Sequence, residues 1–185
     1  MPNSSVYQVY IRSLERHRRE VFGEDTRVHN VNSTLERYPL STAVRVGTCS
    51  GTLIWYRHVL TAAHCVHTGT SLKSRKQIRV GLLRSNGTFR WLGVSKVFAP
   101  REWTRIKQNK KKIQYDYAVL ELEQAHGRPW MRIGVSRVLD GDRISFSGFP
   151  FDKGENLNEL WSSHCRVFRS YLQVVFHHCD ATYMV

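Results

Sequence analysis

The residues best able to do chemistry gather in one run, Cys49-Ser50-Gly51-Thr52-Leu53-Ile54-Trp55-Tyr56-Arg57-His58-Val59-Leu60-Thr61-Ala62-Ala63-His64-Cys65. It sets an imidazole behind two alanines and beside a cysteine, at the end of a strand-like stretch. Such a histidine can act as a general base; the plainer reading is a buried core histidine beside two thiols. Asp116 opens the apolar stretch Tyr117-Ala118-Val119-Leu120-Glu121-Leu122. A carboxylate there is costly to bury without a hydrogen-bond donor, and His64 could supply one. The alternative is a turn aspartate facing water. A second group, His164-Cys165 with His177-His178-Cys179, holds ligand types that suit zinc. It lacks the short Cys–Cys or His–His spacing of structural sites, so no metal is expected. Four cysteines in all permit three pairings.

Two basic clusters carry binding or processing readings. Arg16-His17-Arg18-Arg19 spells Arg-x-Arg-Arg, either a processing site at Arg16, Arg18 and Arg19 or a solvated basic helix end. Arg101, Arg105, Lys107, Lys110, Lys111 and Lys112 face the single acid Glu102. That patch is either a solvated loop or a contact for a polyanion, and charge without interleaved aromatics points to electrostatics rather than base reading. Asn3, Asn32 and Asn86 each begin an acceptor pattern for N-glycosylation.

The elements that must position these residues are short strands. The chain has 185 residues, 41% hydrophobic and 23% charged, which is enough apolar side chain for one globular core and excludes a disordered or low-complexity reading. With 28 Lys+Arg against 15 Asp+Glu its net charge is +13, a surface that favours polyanions. No apolar run approaches the roughly 18–20 residues of a membrane-spanning helix. Period-2 or β-branched runs recur at 42–46, 51–55, 77–83, 89–94, 117–122, 143–147 and 172–176. Helical periodicity is confined to short stretches such as Val6–Arg19. The spacing predicts an all-β barrel or sandwich. The N-terminus lacks the apolar stretch of a secretory signal, whereas the glycosylation patterns and the even cysteine count favour a secreted protein whose true start lies upstream.

The 49–65 run resembles the histidine motif of trypsin-like serine proteases, in which a C-x-G-x-L-I strand leads to L-T-A-A-H-C. Tyr115–Leu122 resembles the D-x-A-L-L-x-L strand of the same family. The resemblance implies that His64 is the general base and Asp116 its orienter. It also implies a Cys49–Cys65 disulfide closing a 16-residue loop, a staple worth roughly 3 kcal/mol. A second disulfide, Cys165–Cys179, is implied in the same way. The implied fold is an all-β, chymotrypsin-like double β-barrel. It would follow a basic, pro-like segment at 1–37, with a first barrel near 38–124 and an incomplete second one near 128–185. The segments 21–27, 38–44, 144–149 and 172–180 resemble the branch containing serine protease 23 and serine protease 35. The likeness covers about residues 16–181. That branch is secreted, carries a processing site where Arg16–Arg19 fall, and includes members considered inactive.

One part of the family pattern is missing. Cys179-Asp180-Ala181 should run into a Gly-x-Ser-Gly loop, but Thr182-Tyr183-Met184-Val185 does not resemble its approach. The nucleophile is expected about one position beyond Val185. Two Ser-Gly pairs, Ser50-Gly51 and Ser147-Gly148, both read as strand residues rather than as a nucleophile turn. The expected function is a serine endopeptidase, with this stretch inactive by itself. The alternative is a non-catalytic homologue that binds through its basic surface. No cofactor is expected; the partners implied are a protein substrate or protein partner and a heparan-type glycan, with no nucleic acid and no membrane span.

Overall fold

The computed structural model describes residues 8–10, 19–20, 24–68, 71–106, 112–135, 137–153, 158–171 and 174–182. Three short strands come first: β1 (Gln8–Tyr10), β2 (Arg19–Glu20) and β3 (Val28–Asn30). At its described residues the helical stretch expected over Val6–Arg19 is corrected: Gln8–Tyr10 form β1, which lies parallel to a strand of the second half of the chain, so tertiary pairing overrides the local period there, while residues 6–7 and 11–18 lie outside the described residues.

Next come β4 (Ala43–Val46), β5 (Cys49–Trp55), β6 (His58–Thr61), β7 (Arg79–Leu83), β8 (Phe89–Phe98) and β9 (Ala118–Leu122). These six close into a barrel in the order β4-β5-β6-β9-β8-β7. A barrel this narrow is filled by side chains, so alternate residues must be apolar. Ala118, Leu120 and Leu122 of β9 meet Leu53, Val59, Val80, Leu82 and Leu92 in the interior, while Glu121 points outward. Gly47, with φ of +61°, turns β4 into β5 in a backbone conformation that few other residues accept.

The second half is a more open sheet of β10 (Arg143–Gly148), β11 (Leu160–Tyr171) and β12 (Val174–His177), with a last short strand β13 (Ala181–Thr182). β11 is the central strand: β10 pairs with it antiparallel, as do β12 and β3, and β1 then lies beside β12. β13 pairs with β2. A second apolar cluster of Leu35, Ala43, Leu83, Phe149 and Leu160 joins the barrel to this sheet. Phe149 meets Phe89 edge to face, with ring centroids 5.5 Å apart.

Gly51 of β5 sits where the sequence motif demands the smallest residue. A Cβ there would lie 2.9 Å from Val59 Cγ1 and 3.0 Å from the Leu60 carbonyl oxygen on β6. Gly51→Ala is expected to lower stability by about 1–3 kcal/mol through overpacking. Urea unfolding monitored by tryptophan fluorescence checks this, and an unchanged midpoint would contradict the close β5–β6 approach.

Candidate active site

Strand register brings the chemistry to one end of the barrel. Thr61, the last residue of β6, pairs with Ala118, the first of β9. His64 lies three residues past Thr61 and Asp116 two residues before Ala118, so the two leave the barrel side by side. His64 belongs to a single helical turn, α1 (Ala63–Val66), entered from an extended Ala62. Ala63 is fully buried beneath that turn, where a larger side chain would displace it. Cys49 begins β5 at the same end of the barrel and is bonded to Cys65, with Cα atoms 6.1 Å apart. Lys73 Nζ donates to the Cys65 carbonyl at 2.9 Å, securing the far side of the turn. Asp116 follows a 3₁₀ turn, Ile113–Tyr115, and its backbone N–H donates to the Ile113 carbonyl at 3.0 Å.

The Asp116 carboxylate holds His64 with both oxygens. Oδ1 accepts the His64 backbone N–H at 2.9 Å and Oδ2 meets Nδ1 at 2.7 Å. An ionised carboxylate can only accept, so Nδ1 carries the proton and Nε2 of the neutral ring keeps its lone pair. The Asp116 side chain is 13% exposed and that of His64 36%. Nε2 itself is buried and has no hydrogen-bond partner among the described residues. An imidazole held this way can take a proton at Nε2 and have the resulting cation stabilised by the carboxylate behind it.

The other residues singled out in the sequence fall as follows. Cys165 and Cys179 form the second disulfide, Cα atoms 5.0 Å apart. Cys49, His64 and Cys65 converge to within 4.8 Å of one another, as do Cys165, His177 and Cys179. In both groups the sulfurs are bonded to each other, which leaves no thiolate to hold a metal. Ser50 Oγ accepts the Phe149 N–H at 2.9 Å, and Ser147 Oγ shares a hydrogen bond with Ser162 Oγ at 2.7 Å. Both serines therefore link structural elements. Arg101 and Arg105 are exposed on α2 (Arg101–Arg105), and Lys112 stands 4.0 Å over the Trp103 ring. Asn86 lies on the exposed tip between β7 and β8, accepting from Thr88 N and Oγ1. Asn32 lies in a 3₁₀ turn, and the backbone of Arg19 pairs with that of Thr182. Asn3, Arg16, Arg18, Lys107, Lys110 and Lys111 lie outside the described residues.

Three buried polar arrangements went unrecognised in the sequence. Arg27 is clamped by two carboxylates, with Asp25 at 2.9 and 2.8 Å and Asp152 at 2.8 and 2.7 Å. Its hydrogen bonds hold the Asp25 carboxyl well below the usual carboxylate range. Burial works against the Arg27 charge, but the two carboxylates outweigh it and raise its pKa. Asp180 accepts the N–H and Oγ1 of Thr26, tying the segment before β3 to the segment after Cys179. His126, which is 1% exposed, receives the Arg128 N–H on Nδ1 and reaches the Trp55 carbonyl through Nε2. Burial lowers its pKa. The spacing Asp25-x-Arg27 is a local signal for the first, but Asp152 lies 125 residues away, beyond any sequence pattern.

A closed β-barrel joined to a second, largely antiparallel sheet, with a histidine–aspartate pair at the barrel end, is the framework of the chymotrypsin-fold proteases. The family model described as Trypsin matches residues 27–167, and the chain belongs to the trypsin family of serine proteases. Serine protease 23 of Homo sapiens is 36% identical over 190 residues, covering 90% of this chain and 49% of that one. Inactive serine protease 35 of Mus musculus is 32% identical over 222 residues, covering 90% and 54%. The chain spans about half the length of these relatives. Among solved structures, a Glu endopeptidase superposes with a TM-score of 0.63 at 20% identity, over 88% of this chain and 80% of that one. Neuropsin from mouse brain gives 0.52 at 18% identity, over 72% and 63%. These two likenesses show the fold.

His177 supplies a pH prediction. It is 4% exposed, and burial, with a smaller contribution from the neighbouring His178, lowers its pKa to about 4. Below pH 6.5 the unfolded chain takes up this proton before the folded chain does, so stability falls from there towards pH 4 and then levels off. Between pH 7 and pH 5 this one group is expected to cost about 2 kcal/mol. Urea unfolding at both values checks it: His177→Gln, which keeps an acceptor for the Cys179 N–H, should lose clearly less than the parent. An equal loss in both proteins would contradict the assignment.

Proposed function

We propose that this chain carries the base half of a serine endopeptidase site, with His64 as general base and Asp116 as its orienter. One observation carries the reading: both Asp116 oxygens hold His64, leaving a lone pair on a buried Nε2. In peptide hydrolysis by this chemistry, Nε2 removes the proton from a serine hydroxyl as its oxygen attacks the carbonyl, then returns it to the leaving amine. Asp116 stays ionised throughout and stabilises the imidazolium. The described serines Ser50 and Ser147 are committed elsewhere, so hydrolysis calls for a nucleophile outside these residues. The two disulfides and the exposed Asn86 acceptor fit secretion into an oxidising compartment. Processing at Arg16–Arg19 belongs to the same reading.

A second reading, a non-catalytic homologue that binds a protein or glycan through its basic face, is favoured by the identity to relatives named inactive and by the net charge of +13. Fluorophosphonate labelling separates the two. The 185-residue chain is expected to stay unlabelled. If transcript sequencing past the Val185 codon finds Gly-x-Ser-Gly, the longer product should label on that serine, and His64→Ala should slow this by at least about 10³-fold. Labelling of Ser50 or Ser147, or indifference to His64→Ala, would sink the catalytic reading.

A further inference from the structure

The described surface holds a concave basic feature that the His64–Asp116 pair does not use. An open groove of about 510 Å³ runs between the loop at 72–75 and the far end of β8. Lys73, Arg75 and Lys96 line it together with apolar Leu72 and Phe98, and no carboxylate does so among the described residues. Each cation is anchored at one atom. Lys73 Nζ donates to the Cys65 carbonyl at 2.9 Å, Arg75 Nη1 to the Ser95 carbonyl at 2.6 Å, and Lys96 Nζ to Glu121 Oε2 at 3.0 Å. An ammonium has three donors and a guanidinium five, so each anchored cation keeps N–H groups for a ligand. Glu121 also accepts from Arg57 at 3.2 Å, so this carboxylate is shared by two cations and does not cancel them. α2 starts three residues past Phe98, placing exposed Arg101 and Arg105 next along the chain.

We propose that this groove binds a linear sulfated polysaccharide of the glycosaminoglycan class. Anionic groups repeated along a chain match cations spaced along a groove, and Leu72 and Phe98 suit the C–H faces of sugar rings. A single-stranded nucleic acid offers the same charge but gains affinity by stacking bases on successive aromatic rings, and here Phe98 stands alone. The two disulfides favour the compartment where sulfated glycans are the abundant polyanion. The inference rests on the extracellular part of the proposed function and is independent of turnover at His64, so a failure of labelling and a failure of binding are separate results.

The test is calorimetric titration of the full chain with a heparin octasaccharide across a salt series. Arg75→Ala/Lys96→Ala is compared with Arg132→Ala/Arg137→Ala, which removes the same charge from exposed positions elsewhere. Near 0.15 M salt the groove pair should weaken binding about tenfold or more and flatten the dependence of log K on log salt by one to two, whereas the remote pair should change affinity less than about threefold. Arg75→Lys/Lys96→Arg, which keeps both charges, should retain affinity within about threefold, showing that the loss is not misfolding. Equal losses in the two alanine pairs, or binding of an equally charged single-stranded DNA or an anionic vesicle as tightly as the octasaccharide, would overturn the proposal.

Discussion

Both oxygens of Asp116 hold one residue, His64, by its backbone N–H at 2.9 Å and its ring Nδ1 at 2.7 Å, and the surrounding barrel end is arranged to make that possible. A carboxylate that is 13% exposed is tolerable only with donors in place. The donors come from a turn that must therefore be rigid. Pairing of Thr61 with Ala118 sets the separation, buried Ala63 lets the turn lie flat on the core, and the Cys49–Cys65 bond ties it to β5. Loosening any of these would weaken the hold of Asp116 on the ring and free it to change tautomer.

The second half of the chain is attached by polar contacts as much as by apolar ones. Ser50, inside the histidine motif, receives the Phe149 N–H, and a Cβ on Gly148 would come 2.7 Å from its Oγ. The same strand that leads towards His64 thus also fixes the start of the loop after β10. Arg27 adds a buried charged clamp between the segment at 25–27 and Asp152. Removing one partner of such a cluster is more damaging than the cluster is stabilising, because the remaining charge would be stranded. Asp180, held by Thr26, carries this bracing up to the residue after Cys179.

The site was legible because its demands are local. Small residues before an imidazole, a flanking cysteine and an aspartate opening an apolar strand are all visible in consecutive residues, and all seven predicted strand runs begin within two residues of observed strands. β11 was not read, although it is the longest strand at 12 residues. Its sequence Leu160–Tyr171 includes three Ser, two Arg and one His, since both its edges are paired but much of its surface is half exposed, so it lacks the apolar alternation that marks a barrel strand. The period over Val6–Arg19 misled for the converse reason: partners near the other end of the chain decide the structure of Gln8–Tyr10 and Arg19–Glu20. The groove, too, joins residues from 72–75 and 95–98 that no spacing rule connects.

The central claim is that Asp116 fixes which nitrogen of His64 carries the proton. Long-range ¹H–¹⁵N correlation spectra of the histidine-labelled chain, recorded near pH 8.5 where an ordinary imidazole is neutral, read this directly. The account predicts that His64 has its proton on Nδ1 and an unprotonated Nε2, and that Asp116→Asn, whose amide can donate to Nδ1, moves the proton to Nε2. A proton already on Nε2 in the parent chain, or the same tautomer in both proteins, would contradict it.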